Sequence, residues 1–321
     1  PRLVGLQHHR TVLTAYESPG AAQAFRWEQR LDRWADGEHD GAMSIPTVTL
    51  HNGVEIPQLG LGVFQVPEDG TQALVEDALA SGYRHIDTAA GYYNEDGVGA
   101  ALKASGLPRE DVFVTTKLRN GDQGYDKALK AFDDSRTALG VDVVDLYLIH
   151  WPVPSLDLYV ETWRAFEKLY ADGAVRAIGV SNFLPDHLDR LVAAADVLPV
   201  VNQVEVHPTF QQADVLASTL GHGIAVEAYS PLGRGADLED PAVTAIAERL
   251  GATPAQVILR WHLDAGRIVI PKSVTPERYR ANLAAVDLEL TDTDRAAIDA
   301  LENGNRLGAD PAVAAFTQYR D

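Results

Sequence analysis

The 321-residue chain predicts an α/β protein, a (β/α)8 TIM barrel with an N-terminal β-hairpin closing its bottom and an extension ahead of the hairpin. Three observations carry this. Eight short apolar runs of strand character begin near Gly60, His85, Val112, Val144, Ala177, Val201, Ile224 and Arg267. Amphipathic stretches separate them, and strand–helix alternation at this pitch means βαβ units and a parallel sheet. Eight such units over about 250 residues suit a closed barrel better than an open doubly wound sheet. Finally, Gly60-Leu61-Gly62 is followed by Val63-Phe64-Gln65, so the first strand lacks the G-x-G-x-x-G turn of an open dinucleotide-binding sheet.

Taken in order, residues 1–43 read as an N-terminal extension and residues 44–321 as the barrel. Met43, the one methionine, marks a natural start of the barrel domain. Within the extension Ala24, Trp27, Leu31 and Trp34 recur at helical spacing. This predicts a short amphipathic helix that packs on its own domain or, in a sharper reading, pairs two copies. A monomer is expected, with a dimer through this helix as the alternative. Next, Thr47–Leu50 and Val54–Ile56 flank His51-Asn52-Gly53, a hairpin whose Asn-Gly pair supplies the positive φ angles of a tight turn. Helices are expected at Thr71–Ala80, Tyr125–Leu139, Leu158–Tyr170 and Asp214–Leu220. The long gap before the last strand holds two more, Pro241–Leu250 and Pro254–Asp264. The loop Arg234–Asp240 is short, which predicts weak closure over a ligand.

Composition narrows the partners. Lys and Arg number 27 against 46 Asp and Glu, a formal charge of −19. A chain this acidic lacks the basic face that neutralises nucleic-acid phosphates, though one basic pocket for a phosphorylated small molecule remains compatible with it. Cysteine is absent, which removes disulfides, thiolate chemistry and thiolate-ligated metals. No run approaches the roughly 18 apolar residues of a membrane span, and the first ten residues carry Arg2, His8, His9 and Arg10 rather than a secretory leader. A cytoplasmic protein acting on a small molecule is the expectation.

In a barrel, reactive side chains sit at the C-terminal ends of strands and on the loops that follow. Here the second strand ends in Asp87 with Tyr92 in its loop, the third ends in Lys117, and the fourth in His150. Each has an ordinary structural use alone: an Asp caps a helix, a Lys reaches water, a His packs in the core. Together they suit proton donation to a carbonyl. A phenol of pKa about 10 is too weak an acid at neutral pH unless its anion is stabilised. A lysine ammonium does that, a carboxylate keeps the lysine charged and aimed, and an imidazole orients the carbonyl oxygen.

The stretches Gly82-Tyr83-Arg84-His85-Ile86-Asp87-Thr88-Ala89, Asp145 to Pro152, Ile178-Gly179-Val180-Ser181-Asn182-Phe183 and Ile270-Pro271-Lys272-Ser273 resemble the aldo-keto reductase superfamily. The resemblance runs from about Val48 to about Gly308 and is closest to bacterial 2,5-diketo-D-gluconate reductase-like members. It implies an NADPH-dependent oxidoreductase that reduces aldehydes, ketones, dicarbonyls or keto-sugar acids without a metal. By motif it makes Tyr92 the general acid, tuned by Lys117, with Asp87 paired to Lys117 and His150 positioning the carbonyl. It assigns Ser181, Asn182 and Gln203 to the nicotinamide carboxamide, Tyr229 to stacking on its ring, and the run Ser230-Pro231-Leu232-Gly233 to the pyrophosphate. Lys272, Ser273, Val274, Thr275 and Arg278 fall to the adenosine 2′-phosphate and Asn282 to the adenine. The substrate pocket takes Phe64, Tyr92, His150 and Trp151. Phe64, Arg119, Tyr279 and Ala281 depart from residues common at those places. Two rival readings stand beside this one. Asp87, Glu205, His207 and Glu227 offer an oxygen-rich site for a metal-dependent isomerase or hydrolase, although no His-x-His pair accompanies them. A nucleotide-binding scaffold without catalysis would keep the same barrel.

Overall fold

The computed structural model describes residues 45–317, and the helix expected around Ala24–Trp34 lies outside them. The chain enters through two short strands, β1 (Thr47–Thr49) and β2 (Glu55–Pro57), paired antiparallel with Thr47 opposite Pro57 and Thr49 opposite Glu55. The turn between them corrects the tight Asn-Gly reading. Gly53 has φ +84°, while Asn52 is not among the positive-φ residues. Gly53 N–H donates to the Leu50 carbonyl and Leu50 N–H to the Val54 carbonyl, each at 2.8 Å. That is a wider loop ended by a left-handed glycine. Asn52 serves through its side chain instead: its Oδ1 accepts from Val54 N–H and its Nδ2 donates to the Arg176 carbonyl, both at 3.2 Å. Leu50 and Ile56 pack against Phe113, Leu146, Ala177 and Ile268, so the hairpin plugs the N-terminal end of the strands that follow.

Eight parallel strands lie side by side in sequence order. They are β3 (Leu61–Gly62), β4 (His85–Asp87), β5 (Phe113–Leu118), β6 (Val144–Ile149), β7 (Val175–Ser181), β8 (Val201–Glu205), β9 (Ala225–Tyr229) and β10 (Ile268–Val269). The sheet closes on itself. Leu59 bridges Val269 in parallel, Gly60 N–H donates to the Val269 carbonyl at 2.8 Å, and Gly62 N–H to the Pro271 carbonyl at 3.2 Å. Every residue of β5, β6 and β8 is buried, as parallel strands covered on both faces require. Alternation puts His85 and Asp87, Thr115 and Lys117, and Gln203 on the inward face with Glu227, which lies in register with Gln203.

The helices Tyr125–Leu139, Pro241–Leu250 and Pro254–Asp264 fall where the hydrophobic period puts them. Thr253 shows why the last one starts there. Its hydroxyl accepts from Gln256 N–H at 3.2 Å, Gln256 Oε1 accepts from Thr253 N–H at 2.9 Å, and Pro254 opens the first turn. The helix Glu68–Ala80 starts ahead of the expected Thr71, because its first turn is acidic and carries no apolar period. Four helices lie between or after the expected ones: Glu95–Ala104, Pro185–Ala194, Pro276–Leu283 and Asp292–Asp299. No described helix is long and apolar enough to cross a membrane.

Candidate active site

Lys117 occupies the barrel centre with no exposed surface, and Asp87 is 2% exposed beside it. The Lys117 ammonium donates to Asp87 Oδ1 at 2.7 Å, to Oδ2 at 2.8 Å and to the Thr88 carbonyl at 2.9 Å. Its Nζ is also 3.4 Å from the Tyr92 hydroxyl and 5.0 Å from the centre of that ring. Tyr92 ends a single 3-10 turn, Ala90–Tyr92, which Tyr93 closes with a left-handed φ of 57°. This turn reverses the chain above β4 and lays the phenol across the strand end. Thr88 donates to Asn94 Oδ1 at 2.9 Å, and Asn94 donates to the Val63 carbonyl at 2.9 Å, which ties the loop to the first barrel strand. The Tyr92 ring lies 5.6 Å from the His150 ring at 70° and 5.0 Å from Phe64. Burial, and then the Lys117 charge, push His150 well below its ordinary pKa, so its imidazole is neutral. The four groups expected to act together do converge, with Phe64 against them.

Trp151 is buried, and the edge of its ring meets Phe316 at 5.1 Å. The segment that ends the described chain therefore backs this wall of the site. Asn120 Nδ2 donates to the Phe316 carbonyl and Gln123 Nε2 to the Trp151 carbonyl, at 2.9 and 2.8 Å. Sequence reasoning missed Asn120, Gln123 and Phe316, because their separation along the chain leaves no local signal.

Ser181, Asn182, Gln203 and Tyr229 form one hydrogen-bonded row beside this centre. Tyr229 Oη donates to Asn182 Oδ1 at 2.8 Å, Asn182 Nδ2 to the His150 carbonyl at 3.0 Å and to Ser181 Oγ at 3.1 Å, and Ser181 Oγ to the Gln203 carbonyl at 2.8 Å. Asn182 takes a left-handed φ of 64°, a conformation asparagine tolerates better than most residues. Gln203 Nε2 donates to Asp87 Oδ2 at 2.8 Å and to Glu227 Oε2 at 3.0 Å. Its amide protons thus bridge two buried carboxylates, a use its sequence position did not reveal. Burial raises the pKa of Asp87, against the pull of Lys117 and Gln203.

Past β10 the chain opens the helix Pro276–Leu283. Ser273 Oγ accepts from Thr275 N–H at 3.1 Å. Lys272 and Arg278 are exposed here and have no ion-pair partner among the described residues. Asn282 is buried on the same helix. Tyr279 donates its hydroxyl to Asp77, Arg280 pairs with Asp77, and the Tyr83 hydroxyl donates to the Tyr279 carbonyl at 2.8 Å. The departure at position 279 therefore anchors this helix to the helix Glu68–Ala80.

The four residues of the rival metal reading do not meet as one cluster. Asp87 and Glu227 meet through Gln203, whereas Glu205 and His207 turn to the rim of the barrel. There His207 Nδ1 lies 2.9 Å from Asp237 Oδ2, and its Nε2 lies 3.2 Å from Glu205 Oε1. Among the described residues no three His, Asp or Glu side chains are grouped so as to hold a metal ion. Asp237 lies in the 3-10 segment Gly233–Glu239, so the short loop after β9 is pinned at its middle rather than loose.

A barrel with a Tyr–Lys–Asp–His mouth matches a known family. The profile of the Aldo/keto reductase family covers residues 58–303. The chain belongs to the aldo/keto reductase family. An aldo-keto reductase of Mycolicibacterium smegmatis is 53% identical over 272 residues, which is 85% of this chain and 99% of that one. The glyoxal reductase of Bacillus subtilis is 50% identical over 272 residues, covering 84% of this chain and 98% of the relative. The crystal structure of a Gox0644 mutant in complex with NADPH superposes with a TM-score of 0.82 at 45% identity, over 85% of this chain and all of that one, 100%. As an aldo/keto reductase, the chain has the (β/α)8 fold and is an NADPH-dependent oxidoreductase.

Proposed function

We propose that the protein reduces small aldehydes, ketones and dicarbonyls with NADPH, and that Tyr92 is the general acid. The observation that carries this is the placement of one buried ammonium, Lys117 Nζ, between the Asp87 carboxylate and the Tyr92 hydroxyl. The glyoxal reductase relative points to short dicarbonyls within this class, and keto-sugar acids such as 2,5-diketo-D-gluconate belong to the same panel.

The residues fit the dinucleotide. Lys272 and Arg278 are two exposed cations flanking a helix N-terminus, where free N–H groups favour a phosphate. They would hold the 2′-phosphate together with Ser273, Val274 and Thr275, with Asn282 at the adenine. Ser230 and Leu232 would take the pyrophosphate, Tyr229 the nicotinamide face, and Ser181, Asn182 and Gln203 its carboxamide. When bound, NADPH supplies the hydride that reduces the carbonyl carbon. The chain supplies the proton and the geometry. Tyr92 Oη gives its proton to the carbonyl oxygen, and the Lys117 charge stabilises the phenolate left behind. Asp87 fixes that charge in place. The neutral His150 has an N–H with which to orient the carbonyl oxygen without competing as an acid. Phe64 and Trp151 close the site with apolar surface and keep water from the exchange.

Steady-state turnover of methylglyoxal, followed at the dihydronicotinamide absorbance, tests the reading. Tyr92→Phe should lose about 10²–10⁴-fold in kcat and still bind NADPH by tryptophan quenching. A variant within a few-fold of wild type removes Tyr92 from the role of acid.

A further inference from the structure

The proposed mechanism leaves a buried acid of the barrel interior, Glu227, without a task. Glu227 has no exposed surface. Its Oε2 accepts from Gln203 Nε2 at 3.0 Å, and the same amide nitrogen donates to Asp87 Oδ2 at 2.8 Å. Its Oε1 has no hydrogen-bond partner among the described residues. The imidazole nearest to it, His85 Nε2, is 3.7 Å away and lies 3.1 Å from Thr115 Oγ1. The enclosure thus holds two carboxylates and one cation. Lys117 is committed to Asp87, whose two oxygens both meet its ammonium. His85 cannot serve as a second cation, since burial pushes its pKa down to about 3.

We propose that Glu227 is a positioning residue for the reduction: it anchors Gln203, Gln203 anchors Asp87, and the proton on Glu227 sets how much positive potential Lys117 presents to the Tyr92 hydroxyl. This rests on the functional reading above and adds a residue to it.

The charge balance gives the direction. With Asp87 ionised, Lys117 charged and Glu227 protonated, the barrel centre is neutral, and a phenolate on Tyr92 faces an uncompensated share of the ammonium. Ionising Glu227 adds a second negative charge in a low-dielectric enclosure, where its effect is felt strongly. The phenolate is then less stabilised and proton donation slows. Burial, and then the charge of Asp87, push the Glu227 carboxyl up to about 8. The groups facing it are Asp87 and His85 from β4, Lys117 and Thr115 from β5, and Gln203 from β8. Ile268 lies opposite on β10 and brings no charge. Glu227 is therefore protonated at neutral pH and loses its proton in mildly alkaline solution.

The test compares kcat for methylglyoxal reduction at saturating NADPH from pH 6 to pH 10 in wild type and in Glu227→Gln, which keeps the shape of the neutral acid but cannot ionise. Wild type should fall by up to roughly 10-fold as pH rises through about 8, the equivalent of about one unit in the acidity of Tyr92. The variant should lack this step. Infrared spectra supply a readout independent of turnover: a protonated carboxyl band present in wild type at pH 6.5, missing from Glu227→Gln, and lost from wild type by pH 9.5. Turnover with superimposable pH profiles, or spectra without such a band, overturns this inference alone. A wild type that turns over no carbonyl overturns the functional reading with it. Should Glu227→Gln fail to fold, Glu227→Thr carries the kinetic comparison, and the alkaline loss of the band in wild type carries the spectroscopic one.

Discussion

The barrel holds two buried clusters of the same composition, two carboxylates and one cation, and they behave in opposite ways. At the centre, Lys117 pairs with Asp87, Glu227 is joined to Asp87 through Gln203, and burial raises the pKa of both acids. At the rim, Glu205 and Asp237 share His207. Burial would raise these acids too, but hydrogen bonds from His207 hold both below their ordinary range. Donors beyond His207 add to the difference. Glu205 accepts from Leu307 N–H at 2.7 Å and Gly308 N–H at 2.8 Å, and Asp237 accepts from the Thr209 hydroxyl at 2.9 Å. Gly308 permits this approach, since a Cβ there would stand 2.7 Å from Glu205 Oε2. The centre has a single amide nitrogen, from Gln203, for its two acids. A fully solvated set of lone pairs can be replaced by N–H donors, as at the rim; where donors are missing, one acid keeps its proton. The rim cluster is built to hold charge and clasp a loop, while the centre is built to hold a proton.

The contrast can be broken most sharply at its cations. Lys117→Met should leave the Asp87 carboxylate buried with no counter-charge, costing about 3–5 kcal/mol of stability at neutral pH, read as a lower denaturant midpoint, with turnover lost. The deficit should shrink in acid, where Asp87 takes up a proton and Glu227 already carries one. His207→Leu should cost somewhat less, about 3 kcal/mol, because the N–H groups of Leu307 and Gly308 still serve Glu205. Hydrogen exchange at those two amides should quicken. The pH dependence separates the clusters further. His207 is pushed up to about 9 in the fold by Asp237 and Glu205, against the effect of burial. Its stabilisation is complete below its unfolded pKa of about 6.5 and is lost as pH rises through about 9, so the gap in Tm between wild type and His207→Leu should narrow over that window. Glu227 is raised as well, from an ordinary value of 4.5 to about 8. The unfolded chain loses this proton first, so wild type should lose stability relative to Glu227→Gln from pH 4.5 to about 8 and level off beyond.

Two smaller effects lie away from both clusters. Arg278→Ala should weaken NADPH by about 1.5–3 kcal/mol, the loss of a charged hydrogen bond, and leave NADH nearly unchanged. Parallel titrations by tryptophan quenching would measure this, and equal losses for the two cofactors would contradict a 2′-phosphate role. Phe316→Ala removes the edge contact on Trp151. It should cost about 0.5–1.5 kcal/mol in stability and raise KM more than it lowers kcat.

Much of this was readable along the chain, and the failures have local causes. Strand–helix alternation located all eight barrel strands, since burial on both faces makes each a short apolar run. The hairpin was legible but its turn was not: the Asn-Gly pair suggests a two-residue turn, while the docking of Asn52 on the Arg176 carbonyl selects a longer one. Asp87, Tyr92, Lys117 and His150 stood out because polar residues ending apolar runs are unusual, and the barrel brings those ends together. Glu205 and His207 entered only the rival reading, grouped with Asp87 and Glu227 for a metal, because adjacency in sequence says nothing of which way a strand end turns. Asp237, from a loop that looked merely short, takes His207 to the rim.

The linear pattern was sufficient for the barrel, the order of its strands and the identity of the groups at its mouth, because periodicity and residue type are properties of short segments. Protonation was beyond its reach. Asp87, Gln203 and Glu227 come from strands far apart in the chain, and whether a carboxyl there carries a charge depends on how many donors surround it and how little water reaches it. Those quantities come into being when the sheet closes and the strand ends are sealed into one enclosure.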